Sequence, residues 1–290
     1  MRYLCITVLT VLLAGTAGAQ SGTLRSSKFG GRDYVRVRDI LRYYDVDPDR
    51  LQAEPHRREM TLDGVQHWLN YPTIEAGDVV WIAKTDVMKA IDPVLRPSQF
   101  RSTPAVKVIV IDPGHGGADR GTRSTTGRNE KDLTLDVAKR VEEQLVGCGA
   151  KVFLTRRSDS TLALEERNEY ATEREADLFI SIHFNAALGP ASGIETYCLP
   201  PVGATSTASS RSRASDDDRQ TGNRYDSENV WLAHSIHKSL ITETRADDRG
   251  VRRARFQVLR DAACPAVLIE CGFLSNRAEE QKIRAPAYRD

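Results

Sequence analysis

The pattern of apolar and polar residues changes near residue 107 and predicts two regions of different fold. Before this point, Tyr34–Arg38 alternates apolar with charged residues, which predicts a short strand followed by a helix that starts at Asp39. The same strand-then-helix order returns at 79–91 and indicates an internal duplication. We therefore expect a small α+β module over residues 20–97, and a linker at 98–106 that prolines bracket.

Residues 107–290 alternate predicted strands with predicted helices, which is typical of an α/β fold with a mostly parallel, twisted sheet flanked by helices. Val108–Ile111 is apolar without alternation, as expected of a strand that is buried on both faces. Apolar residues at four-residue spacing predict a helix through Leu133 and Leu145. Further strands are predicted at 151–155, 177–183, 193–199 and 266–270, and further helices at 162–175 and 230–243.

One segment interrupts this alternation. Residues 200–227 are rich in Ser, Thr, Arg and Asp, a composition that predicts a flexible insertion. Asp216–Asp218 has the charge for a calcium site, but the Ser, Arg and Gly residues around it favour an exposed loop.

The first nineteen residues have the pattern of a secretory signal peptide. Arg2 is followed by the apolar run Leu4–Leu13, and Ala17–Ala19 supplies small residues for cleavage before Gln20. The alternative, a membrane anchor, is disfavoured because the apolar run is too short to span a bilayer. The sequence therefore predicts an exported protein of the periplasm, cell envelope or extracellular space, with no stable membrane span.

Composition restricts the possible partners. The chain has 290 residues, 41 Lys plus Arg against 40 Asp plus Glu, and 40% hydrophobic residues. These values are ordinary for a globular protein and exclude a disordered or collagen-like chain. Removal of residues 1–19 would leave 40 basic and 40 acidic residues, so no positive charge favours nucleic acid. It would also leave four cysteines, whose pairing the sequence does not determine: Cys148, Cys198, Cys264 and Cys271.

Four polar residues lie where predicted elements begin or end. His115 and His183 follow apolar strands, Glu270 ends another, and Glu130 opens a helix. In open α/β sheets, sites form at the carboxyl ends of strands. Two imidazoles and a carboxylate are a usual ligand set for catalytic zinc, and a second carboxylate could act as the base. Taken singly, each histidine has a structural explanation, and Glu130 could simply favour the positive end of its helix.

The motifs that contain these residues resemble the zinc-dependent N-acetylmuramoyl-L-alanine amidases of the Amidase_3 family. Five segments carry the resemblance in the family's order: 110–117, 129–131, 181–186, 193–197 and 267–276. The resemblance implies that His115, Glu130 and His183 bind one Zn²⁺ and that Glu270 is the catalytic glutamate. It implies hydrolysis of the amide between N-acetylmuramic acid and L-alanine in peptidoglycan, for wall remodelling or daughter-cell separation, with any activator protein unknown. The alternatives are a non-catalytic peptidoglycan-binding envelope protein with a vestigial zinc site, and a structural envelope protein anchored by an uncleaved N-terminus.

Two features have less specific interpretations. His234 and His237 are expected to be solvated or locally paired, because no neighbouring carboxylate in the sequence completes a metal site. The basic run Arg249–Arg255 is expected to be a solvated loop face, with contact to stem-peptide carboxylates as the functional alternative.

Resemblance to known families also gives expectations for both ends of the chain and for the insertion. The N-terminal module faintly resembles the copper amine oxidase N-terminal-like domain around Gly31–Asp39, but with only His56 and His67 we expect no copper there. Relatives usually carry another helix after the motif Leu274–Asn276, and that C-terminal helix is expected to be missing here. The insertion at 200–227 has too few apolar residues to act as an inhibitory plug.

Overall fold

The computed structural model describes residues 23–99, 106–207 and 213–290, and within these ranges the chain forms two β-sheets. The predicted signal peptide, most of the predicted linker and part of the predicted insertion lie outside the described residues. The strands are β1 Ser27–Phe29, β2 Arg32–Arg36, β3 Leu51–Ala53, β4 Glu59–Leu62, β5 Val65–Trp68, β6 Ile74–Glu75, β7 Val80–Ala83, β8 Val108–Pro113, β9 Lys151–Leu154, β10 Leu178–Asn185, β11 Ile194–Cys198, β12 Asp248–Arg253 and β13 Ala266–Phe273.

Helices cover the sheets and connect their strands. Helix α2 is continuous over three adjoining segments, with a π-helical middle part. The helices are α1 Val37–Tyr44, α2 Lys84–Asp86 with Val87–Ile91 and Asp92–Leu95, α3 Glu130–Gly147, α4 Leu164–Glu173, α5 Asp226–Thr244, α6 Gln257–Arg260, α7 Arg277–Arg284 and α8 Pro286–Arg289. Short 3-10 helices lie at Pro48–Arg50, Pro97–Gln99, Ala214–Asp217 and Thr221–Tyr225.

The larger sheet has nine strands in the order β3-β4-β5-β12-β11-β13-β10-β8-β9. Strands β13, β10, β8 and β9 are mutually parallel, and β11 is antiparallel to β13. In β8, Ile109 and Ile111 pack into the core cluster that includes helices α3 and α5, whereas Val110 packs toward α4 and α6. Both faces of the strand are therefore covered, which explains its unbroken apolar run and confirms the predicted α/β fold.

The N-terminal region contributes to both sheets. Strands β1, β2, β7 and β6 form the smaller antiparallel sheet, which contains both strands of the proposed duplication. Strands β3, β4 and β5 form hairpins that extend the larger sheet, where His67 of β5 pairs with Val251 of β12. The sequence pattern did not predict these three short strands. The module expected at 20–97 thus shares a sheet with the region that follows it.

Two segments that we expected to be loops are structured. Most of residues 249–255 lie in strand β12, where Arg253 is fully buried and donates hydrogen bonds to Leu199 O and Lys89 O. The solvated-loop expectation is therefore wrong for this residue. In the predicted flexible insertion, two 3-10 helices form, and buried Asp216 pairs with Arg255 at 2.8 Å. An ion pair with a residue distant in sequence thus holds this polar segment in a defined position.

The expectation of no helix after Leu274–Asn276 also needs correction. Helix α7 begins directly after this motif, and the Asn276 side chain accepts hydrogen bonds from the backbone N–H groups of Ala278 and Glu279. A second short helix, α8, follows. Across the described ranges, we found no helix with the length and apolar character needed to cross a membrane.

Candidate metal centre

Three of the predicted site residues meet at the carboxyl ends of β8 and β10. His115 follows β8, His183 lies near the end of β10, and Glu130 is the first residue of α3. Glu130 Oε1 lies 3.0 Å from His115 Nε2 and 3.1 Å from His183 Nδ1. The three potential ligand atoms lie within 4.8 Å of one another, the one such group of three or more metal-ligating side chains in the described part of the chain.

The turn after β8 is held in place by residues that the sequence analysis did not single out. His115 has a φ of 63°, an unfavourable conformation for a residue other than glycine. Arg156 donates hydrogen bonds to Pro113 O and Gly114 O, and Arg167 donates to His115 O. Arg156 lies just after β9 and Arg167 lies on α4, so only the folded structure reveals their role. Their bonds supply the surrounding support that a strained turn needs.

Glu130 is buried with its carboxylate fully bonded. Its Oε1 accepts a hydrogen bond from Phe184 N, and its Oε2 accepts one from Thr122 N. Burial would raise its pKa, but hydrogen bonds from His115 and His183 hold the pKa of Glu130 well below its usual range. Glu130 is therefore a carboxylate at neutral pH.

His115 lies between two acidic side chains. Its Nδ1 is 2.8 Å from Asp119 Oδ2, on the opposite side of the ring from Glu130. Burial would lower its pKa, but Glu130 and Asp119 outweigh this effect and raise the pKa of His115 to about 9. A carboxylate on the far ring nitrogen orients the imidazole and makes it a more basic ligand, which is the usual arrangement for a metal-bound histidine. The sequence analysis missed Asp119 because its role depends on the turn.

Glu270 lies beside this group on β13. In the sheet it is directly paired with His183 of β10 on one side and Glu195 of β11 on the other. Its Oε2 is buried and has no hydrogen-bond partner among the described residues. Burial raises the pKa of Glu270 to about 7, and the nearby carboxylates of Glu130 and Glu195 contribute in the same direction. An unpartnered buried carboxylate is costly unless a cation or ligand compensates it.

These residues fit a bound divalent metal ion. Two imidazoles and one carboxylate match the protein ligand set of a catalytic zinc site. The fit is supported by Gly114, where an added Cβ would lie 2.2 Å from His183 Cε1, so the backbone approaches the imidazole too closely for any side chain. The orphaned Glu270 oxygen is consistent with a neighbouring cation or ligand group.

His234 and His237 are buried rather than solvated, and each is paired. His234 Nδ1 lies 2.9 Å from His67 Nε2, and His237 Nε2 lies 2.9 Å from Asp248 Oδ1. The expectation of pairing is correct, but the expectation of a solvated position is wrong, and the partners His67 and Asp248 come from strands β5 and β12. Asp248 was missed because it begins strand β12, which the sequence pattern did not predict.

Comparison with known proteins agrees with this geometry. The family model for N-acetylmuramoyl-L-alanine amidase, Amidase_3, matches residues 109–290. The chain is 35% identical over 182 residues to N-acetylmuramoyl-L-alanine amidase CwlM of Bacillus licheniformis, a match that covers 62% of each protein. It is 30% identical over 230 residues to AmiA of Escherichia coli, covering 72% of this chain and 79% of AmiA.

A solved structure of an N-acetylmuramoyl-L-alanine amidase is also similar to this protein. The crystal structure of N-acetylmuramoyl-L-alanine amidase from Clostridium difficile 630 superposes with a TM-score of 0.52 at 34% identity, covering 64% of this chain and 89% of that one. The family match includes more than half of the chain and contains all four predicted site residues. The chain therefore belongs to the Amidase_3 family of N-acetylmuramoyl-L-alanine amidases, which are amide hydrolases.

Proposed function

We propose that this protein uses zinc to hydrolyse the amide bond between N-acetylmuramic acid and L-alanine in peptidoglycan. The observation that carries the proposal is the group formed by His115, Glu130 and His183, with Glu270 beside it, whose Oε2 is buried and has no hydrogen-bond partner among the described residues. Family membership supports the choice of this bond, and the four residues support the proposed way of cleaving it.

His115, Glu130 and His183 would hold the metal. When bound, zinc acidifies water and polarises a carbonyl group. Asp119 keeps the His115 ring oriented, and the backbone N–H groups of Phe184 and Thr122 hold both oxygens of Glu130. This outer layer of hydrogen bonds fixes the ligands before substrate arrives.

Glu270 would move the proton. It takes a proton from the attacking water and delivers it to the L-alanine nitrogen as the amide bond breaks. A general base and acid works best when its pKa is near the working pH, and burial raises the pKa of Glu270 toward that range. Its Oε2 makes no hydrogen bond to another described residue that would compete for the proton.

The proposed substrate requires export. The signal peptide expected at residues 1–19 would direct the protein to the periplasm or cell envelope, where peptidoglycan lies. Mass spectrometry of the exported protein tests this directly: a mature chain that begins at Gln20 is expected, and an intact Met1 segment would support an anchored protein instead.

Product analysis on purified peptidoglycan tests the proposed activity. We expect release of peptides that begin with a free L-alanine amine, loss of that release after chelation, and recovery on addition of Zn²⁺. Binding to peptidoglycan without any release would favour the alternative of a non-catalytic wall-binding protein. Release that continues after complete metal removal would contradict zinc dependence.

A further inference from the structure

A row of charged side chains continues from the metal centre across the larger sheet. His183, Glu270 and Glu195 are paired in register on β10, β13 and β11. On the next strand, Arg249 and Arg252 of β12 both contact Glu195. The row thus runs from the metal ligands, through two carboxylates, to two guanidinium groups.

Glu195 holds the first arginine in a fixed position. Its Oε2 accepts hydrogen bonds from Asn185 Nδ2 and the Tyr197 hydroxyl, and its Oε1 accepts one from Arg249 Nε at 2.8 Å. The Arg249 guanidinium also lies 4.8 Å from the centre of the Phe273 ring. A guanidinium fixed by a buried carboxylate and an aromatic ring is preorganised to bind a further anion.

The second arginine leaves this end of the row positively charged. Arg252 Nε lies 3.4 Å from Glu195 Oε1, and its guanidinium lies 4.3 Å from the centre of the Trp68 ring on β5. Arg249 and Arg252 share the single Glu195 carboxylate, which can neutralise only one of their two positive charges. The aromatic ring comes from the N-terminal region, which therefore forms part of the wall of this site.

Two cationic side chains on the other side of the metal centre already form hydrogen bonds with protein groups. Lys131 Nζ donates to Gly117 O and Asp159, and Arg156 donates to four backbone carbonyls. Arg249, in contrast, uses its Nε for Glu195, and its side chain remains about one-third exposed. Among these cations, Arg249 is therefore the one whose outer guanidinium nitrogens can reach a ligand.

We propose that Arg249, supported by Arg252, binds a free carboxylate on the peptide residue that follows L-alanine in the substrate. This inference rests on the proposed function, since it defines where the peptide half of that substrate lies. Adjacent strands are about 4.8 Å apart, so the Arg249 backbone lies roughly 10 Å from that of Glu270. Two extended residues span about 7 Å, and the long arginine side chain bridges the remaining distance.

Two matched substrates test this subsite in the zinc-loaded, full-length mature protein. They are muramoyl dipeptides that carry either a carboxylate or a carboxamide on the residue after L-alanine. The wild-type protein should favour the carboxylate by roughly tenfold to a hundredfold in kcat/KM, mainly through KM, as expected of a charge-assisted contact. Arg249→Gln should bring this ratio close to one, and Arg249→Lys should keep part of it, because lysine retains the charge without the planar fork.

Arg42→Gln is the control, because it removes the same charge from an exposed position on α1. It should keep the wild-type ratio. Equal use of both substrates by the wild type, or an equal loss on both substrates in Arg249→Gln, would overturn the subsite while leaving the amidase assignment intact. Cleavage of neither substrate by the wild type would overturn the proposed function itself, and the subsite with it.

Discussion

At the candidate metal centre, the space available to a side chain matters as much as its chemical group. Gly114 carries no functional group, yet the His183 ring occupies the space that its side chain would need. The sequence analysis singled out four candidate site residues because they lie where predicted elements begin or end, inside recognisable motifs. It did not identify Arg156, Arg167 or Asp119, because their contacts depend on how distant segments fold together.

Replacing Gly114 with alanine should disrupt metal binding. The new methyl group would lie 2.2 Å from His183 Cε1, so the imidazole must shift from the position that places it beside Glu130. We expect zinc affinity and activity to fall by roughly tenfold to a hundredfold, the size seen when ligand orientation is lost. Zinc titration and a peptide-release assay measure both.

Gly147→Ala is the matched control, because nothing lies within 4 Å of a Cβ at this exposed helix end. Its zinc affinity should equal that of the wild type. Wild-type affinity in Gly114→Ala as well would contradict the close approach of this backbone to His183.

Elements at the C-terminal side of the site depend on capping that the sequence analysis overlooked. Asn276 caps α7, and Glu279 in its first turn accepts hydrogen bonds from Gly193 N and Phe273 N. The helix therefore joins the start of β11 to the end of β13. The pattern Asn-x-x-Glu has the features of a helix start, so this element could have been predicted from the residues alone.

Asn276→Ala should reduce the free energy of unfolding by about 1 kcal/mol, because two backbone N–H groups of α7 lose their acceptor. Urea unfolding measures the change. Asn276→Asp retains the acceptor and should lose less. An alanine variant as stable as the wild type would show that the cap contributes nothing, whereas zinc content should be the same in all three proteins.

At the scale of the whole molecule, the N-terminal region and the amidase region are packed against each other through a buried histidine pair. His67 on β5 contacts His234 on α5, and both side chains are almost completely buried. The sequence predicted most strands and helices of the amidase region, because its apolar runs are strong. It missed β3, β4, β5 and β12, which are short or highly charged and are fixed by pairing with one another.

This packing predicts loss of stability in acid. Burial lowers the pKa of His234 to about 4, with Lys238 adding to the effect, whereas the unfolded residue titrates near 6.5. Between these values the unfolded chain binds the proton and the folded protein does not, so the free energy of unfolding falls as pH falls. His234 alone should contribute a loss of about 2–3 kcal/mol between pH 7 and 4.5.

Urea unfolding at the two pH values measures this loss. His234→Gln should show a smaller loss, because glutamine does not titrate, whereas His56→Gln, at an exposed position, should behave as the wild type. An equal pH dependence in all three proteins would mean that His234 does not carry the effect.

The central claim is that Glu270 moves the proton at a zinc site formed by His115, Glu130 and His183. The most direct test compares Glu270→Gln with the wild type, measuring bound zinc and the release of peptides with a free L-alanine amine from purified peptidoglycan. Glutamine has a similar shape but cannot accept the proton, so we expect equal zinc content and a loss of activity of roughly a hundredfold to ten-thousandfold. A zinc-loaded Glu270→Gln protein that releases peptides at the wild-type rate would contradict the account.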